Sequence, residues 1–207
     1  MAAPDFTEFD RRAVRASVAI VSRLTAADLG SPTPCADWTL GELLAHMTAQ
    51  HHGFAAAAAG QGSDLAVWQV GPLGADPVAD YAAAAELVIA AFAEPGAVER
   101  RFSLPEISPT FRFPAAQAIS FHFVDYVVHG WDAARSLGIG YQLDDDLAEA
   151  ALTVATVVPD GPQRLEPGAA FGPGLAAPED ASPLDRALSM LGRSPLWPDD
   201  GQPAGSR

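Results

Sequence analysis

The stretch FHFVDYVVHGWDAARSLG, residues 121–138, holds the side chains best suited to chemistry. Laid on a helix at about 100° per residue, it is apolar almost all the way round. Phe121, Phe123, Val124, Val127, Val128, Trp131 and Leu137 leave little face for water. A helix of that kind is a central, buried one. Yet His122, Asp125, His129 and Asp132 share one narrow stripe, and buried carboxylates and imidazoles are costly unless they are paired or hold a metal. Asp125 and His129 stand four apart, which puts their Cβ atoms about 5–6 Å from each other on one face. That pair can grip one divalent ion. A third ligand must come from another helix, and His46, three residues past Leu43, is the candidate. Such a three-ligand N/O set leaves positions open for water or substrate. The same spacing also suits a buried Asp–His hydrogen bond that only orients the helix.

The neighbouring polar residues divide in the same way. His122, one turn before Asp125, is either an assisting ligand or a core histidine bonded to a carbonyl. In a metal-free site Asp125 is the candidate general base, with His122 or His129 as the acid. Asp132 either orients His129 from behind or pairs with an arginine. Gln50 and Gly53 follow His46 along its own face and are placed to line a pocket, Gln50 as a cofactor contact; ordinary helix packing accounts for them equally. His51 and His52 point in different directions, His52 away from the core. Glu42 stands four before His46, but capping explains it more simply. Cys35 reads as a small buried filler, and Trp38 and Trp131 as core anchors.

These residues require helices to position them. The spacing predicts a first helix over about 7–26, with Phe9, Val14, Val18, Val21 and Leu24 facing a core. Thr39 and Glu42 form a capping box that opens a second helix, about 40–59, with Leu40, Leu43, Leu44, Met47 and Phe54 inward. Asp76-Pro77 starts a third, about 77–94, and Pro95-Gly96 stops it. Residues 97–113 read as an extended excursion or short hairpin. Pro114 begins the central fourth helix and Gly138 ends it. DDDLAEAALTVATVV supplies a fifth with acidic residues at its start. Residues 159–182, rich in Gly and Pro, read as an irregular strap, and SPLDRALSMLG as a short capped helix. The expectation is an all-α protein, an antiparallel four-helix bundle with short C-terminal additions. Residues 1–197 form its single domain and 198–207 a flexible tail.

Composition narrows the function. In 207 residues the formal charge is −14, with no basic stripe for nucleic acid or for anionic lipid. One cysteine allows no internal disulfide. Neither a signal peptide nor an apolar run of membrane-spanning length is visible, so a cytoplasmic protein acting on a small molecule, as monomer or homodimer, is expected. There is no phosphate loop, nucleophile elbow or dinucleotide fingerprint.

TPCADWTLGELLAH, followed some eighty residues later by DYVVHGWDAARSLG, resembles the mycothiol-dependent maleylpyruvate isomerase N-terminal-domain-like family, of the DinB-like metal-binding four-helix superfamily. The closing LDRALSMLGRSPLW is similar to the ends of actinobacterial members. The resemblance implies a four-helix bundle with a divalent metal, often zinc or nickel. It maps the metal ligands onto His46, Asp125 and His129, with aspartate at 125 where the isomerase type has glutamate. It also implies a low-molecular-weight thiol such as mycothiol as cosubstrate, and a transferase or isomerase activity. The isomerase carries a further C-terminal domain for which this chain is too short, so thiol transfer or another reaction is expected here rather than maleylpyruvate isomerisation.

Overall fold

In the computed structural model, which describes residues 6–198 apart from 36, 37 and 167, Thr39 and Glu42 close the reciprocal cap that their spacing predicts. The Glu42 N–H donates to Thr39 Oγ1, and the Thr39 N–H to Glu42 Oε2 at 2.8 Å. This sets the start of α2, Leu40–Ala58. Asp76 accepts from the Ala79 N–H ahead of α3, Pro77–Ala93. α1 spans Phe6–Val21, ending about five residues short of the expected limit. Beyond it Thr25 turns to bond Asp28 through both its N–H and its hydroxyl, a local pairing that competes with helix.

The excursion before the central helix is a hairpin, β1 (Arg101–Ser103) and β2 (Arg112–Pro114), antiparallel with Phe102 opposite Phe113. Both phenylalanines are buried. α4, Ala115–Ser136, is buried over most of its surface, as its composition requires. It ends where Gly138 takes φ +65° and the Ile139 N–H reaches back to the Ala134 carbonyl, the αL stop expected of a glycine there. α5 (Asp145–Ala155) and α6 (Pro183–Met190, capped by Ser182) pack on each other.

The architecture is all-α, a four-helix bundle with additions. α1 packs most extensively on α4, and α2 on α3. His46–His129 and His51–His122 contacts show α2 antiparallel to α4; Ser17–Tyr81 and Arg15–Glu86 show α1 antiparallel to α3. Among α1–α4, the contacting pair that touches least is α2 with α4, and the polar side chains of the two helices meet along that seam. Leu147, Ala151, Val154, Leu188 and Leu191 of the additions share one apolar cluster with Phe123, Val127 and Trp131 of α4. The strap is irregular, as expected. Buried Arg164 pins it by donating to the carbonyls of Val158, Pro159, Gly172 and Met190. Residues 199–207, most of the expected tail, lie outside the described residues. No helix among the described residues is long and apolar enough to cross a membrane.

Candidate metal centre

On α2, whose start the capping box sets, His46 faces α4. There it meets the Asp125/His129 pair, whose four-residue separation stacks both side chains on one helix face. The three residues each offer one ligand atom, and those atoms all lie within 4.8 Å of one another. The His46 and His129 rings meet edge-on, centroids 5.4 Å apart. Trp38 packs over His46 at 4.6 Å and reaches His129 at 6.1 Å, so a tryptophan expected as a core anchor walls the cluster. His129 is buried, and Asp125 keeps 22% of its side chain exposed.

The donor chemistry suits a cation. Asp132, fully buried, accepts at Oδ2 from His129 Nδ1 at 3.0 Å. An ionised carboxylate can only accept, so His129 Nδ1 carries a proton and Nε2 is the ring atom turned toward the cluster. Nε2 faces Asp125 Oδ1 at 3.4 Å, beyond hydrogen-bond length. A cation placed between these two atoms would be held by both. His46 adds a second imidazole: burial, and then charge on the neighbouring His129, push its pKa down to about 4 against the opposing pull of Asp125. It is therefore neutral at pH 7. Two imidazoles and one carboxylate form a donor set that suits a divalent metal. Behind them, Arg193 grips Asp132 with two nitrogens, Nε to Oδ1 at 3.0 Å and Nη2 to Oδ2 at 3.1 Å. Burial alone would raise the Asp132 carboxyl; the Arg193 charge and the His129 hydrogen bond outweigh it and hold the group below its usual range.

His122 shares the stripe but not the cluster. It is fully buried, with Nδ1 2.6 Å from Asp10 Oδ1 and Nε2 3.3 Å from His51 Nδ1. His51 stacks on Tyr126 at 4.0 Å. The far ends of this Asp–His–His chain, Asp10 Oδ2 and His51 Nε2, have no hydrogen-bond partner among the described residues. Burial pushes the Asp10 pKa up against His122, and pushes that of His51 well below the usual imidazole range. The seven-residue interval from His122 to His129 lifts one ring about 10 Å along the helix from the other, so a shared stripe reaches two separate groups.

Gln50 is buried, and its Nε2 donates to Glu106 of the loop joining β1 and β2 at 2.9 Å. Gly53 lies under the Trp68 ring, which leaves no room there for a side chain. His52 is exposed, Cys35 is half-buried, and Glu42 is spent on its cap. Arg193, Asp10 and His51 are the neighbours that reading the sequence did not place. The one signal for Arg193 was the need of Asp132 for a cationic partner.

Residues 11–134 match the family described as mycothiol maleylpyruvate isomerase N-terminal domain. Two uncharacterized proteins of Mycobacterium tuberculosis, from strains CDC 1551/Oshkosh and H37Rv, are each 31% identical over 189 residues, covering 89% of this chain and 95% of theirs. No solved structure matches the chain significantly. His46, Asp125, His129 and Asp132 fall inside the matched region, and Arg193 falls outside it.

Proposed function

Because the chain belongs to the mycothiol maleylpyruvate isomerase N-terminal domain family, we propose that it is a metal-dependent enzyme. It uses a low-molecular-weight thiol, mycothiol or a similar one, against a small electrophile. The observation that carries this reading is the convergence of His46, Asp125 and His129, with His129 Nε2 3.4 Å from an Asp125 carboxylate oxygen. A divalent ion held by these three would supply a binding position for sulfur and stabilise the thiolate. The protein's own groups do the rest. Asp132 keeps the His129 proton on Nδ1. Trp38 shields the two imidazoles from water. The thiol proton passes to water on the side where Asp125, more exposed than His129, leaves the centre open. The sulfur then bonds to the electrophilic carbon, and the displaced electron pair leaves with the departing group or moves onto a conjugated carbonyl. Transfer ends there; isomerisation adds rotation about the freed single bond and expulsion of the thiol. His122, enclosed and engaged at both ring nitrogens, stays away from the reacting atoms in this reading.

The test is elemental analysis of protein purified without affinity tag or chelator, then zinc and nickel titration of stripped protein. About one ion per chain is expected in the wild type, lost in His46→Ala and His129→Ala. A well-folded wild type that takes up neither metal would overturn the reading.

A further inference from the structure

The geometry points to Arg193 as a positioning residue for the metal centre: it fixes Asp132, which in turn fixes the ring of His129. The inference rests on the reading of His46, Asp125 and His129 as metal ligands. Arg193 comes from the C-terminal additions, sixty-one residues beyond Asp132 in the chain and outside the family match. α6 ends in an αL turn that aims it. Gly192 sits at φ +75°, the Arg193 N–H returns to the Leu188 carbonyl at 2.9 Å, and the side chain runs back against α4. A Cβ on Gly192 would meet the Gly172 backbone at 2.7 Å, so the strap and this turn fit only with glycine there.

The contact itself is a planar fork on a carboxylate. Nε lies 3.0 Å from Oδ1 and 3.2 Å from Oδ2, and Nη2 lies 3.1 Å from Oδ2. Oδ2 also accepts from His129 Nδ1. Arg193, Asp132 and His129 are 5%, 0% and 3% exposed, so no water is at hand to replace a lost partner. Two-point contact sets the plane of the carboxylate, and the carboxylate sets the tautomer and tilt of the imidazole, hence the direction of Nε2. A buried ion pair contributes little net stability compared with apolar packing, so stability alone does not account for an arginine here. The segment after α5 is in this way part of the centre, although it supplies no ligand.

The experiment measures zinc affinity of the full-length protein by competition with a chromophoric chelator, for wild type, Arg193→Met, Arg193→Lys, Asp132→Asn and the double variant Asp132→Asn/Arg193→Met. Each of Arg193→Met and Asp132→Asn is expected to weaken zinc binding about 10–100-fold. The double variant should bind no more weakly than the worse single, because one chain of contacts is being cut twice. Arg193→Lys, a point charge without the fork, should fall between. Arg164→Met controls for loosening of the C-terminal segment: it releases the strap carbonyls, and should lower the melting temperature while leaving zinc affinity within about twofold. Long-range 1H–15N spectra of stripped protein should show His129 as the Nδ1–H tautomer in wild type and as a mixture in both single variants. Wild-type affinity in Arg193→Met, or an equal loss in Arg164→Met, would overturn the inference. Should Arg193→Met not fold, wild-type affinity and tautomer in Asp132→Asn do the same. His46→Ala separates the two levels. If it keeps wild-type zinc affinity, the reading of the site fails; if it loses zinc while Arg193→Met does not, only the role of Arg193 fails.

Discussion

Asp125→Asn separates a ligand from a structural hydrogen bond. The Asp125 carboxylate is partly exposed, and its 3.4 Å separation from His129 Nε2 is too long for a hydrogen bond. Removing its charge from metal-free protein therefore costs no more than an exposed ion pair does, about 0–1 kcal/mol. In the metal-loaded state the amide loses the charge that offsets the cation. With zinc at about 100 times the wild-type Kd, wild type gains about 2.7 kcal/mol on binding. A variant with about 100-fold weaker affinity at that same concentration gains RT ln 2, about 0.4 kcal/mol. The difference, about 2.3 kcal/mol, corresponds to about 5–9 °C in melting temperature for a chain of this size. Scanning calorimetry of stripped and zinc-saturated samples of both proteins measures it. The expected pattern is near-equal melting when stripped and a zinc shift that survives only in wild type. A loss of about 3 kcal/mol or more in the stripped variant, with its zinc shift intact, would refute the ligand assignment and make Asp125 a structural acceptor.

Three further outcomes are expected. Asp10→Ala strips the buried partner of His122 and should cost about 3–5 kcal/mol, read as a lower denaturation midpoint, with zinc affinity unchanged; loss of zinc binding in folded Asp10→Ala would tie the His122 chain to the centre. In metal-free protein, His46 and His51 are held neutral by burial, their pKa values below the unfolded 6.5. Their contribution is therefore complete above about pH 6.5 and is lost as pH falls below it, each at about 1.4 kcal/mol per pH unit. Asp10, raised from 3.8 by burial, works in the opposite sense, so the net slope should be about 1.4–2.7 kcal/mol per unit. Thermal melts from pH 7 to 5 test this, and a flat profile would contradict it; His51→Phe, which keeps the stack on Tyr126, should reduce the slope. Gly53→Ala would put a Cβ 2.2 Å from Trp68 Cε3 and expel the indole. The loss is about 3–5 kcal/mol for the tryptophan less about 1 kcal/mol of helix propensity regained, with a red shift in tryptophan emission; an unshifted spectrum would contradict the packing.

What the sequence determined by itself is local and periodic. Thr39 with Glu42, Asp76 with Pro77, and Gly138 each act within about one helical turn, so their caps and stops were legible, and so was the burial of α4 from its apolar residues. Asp125 and His129 were legible as a pair because the helix repeat alone brings positions four apart together. The early end of α1 was not, because the Thr25–Asp28 turn competes with an apolar pattern that continues past it. Only the tertiary structure decided what lay across the bundle. His122 and His129 share a stripe, but their separation along α4 sends one to Asp10 and His51 and leaves the other beside His46. Trp68 rather than a ligand covers Gly53, and the cation that Asp132 needs arrives from the turn after α6. Periodicity states which side of a helix a residue faces; which neighbour stands there, and at what height, depends on packing between elements far apart in the chain.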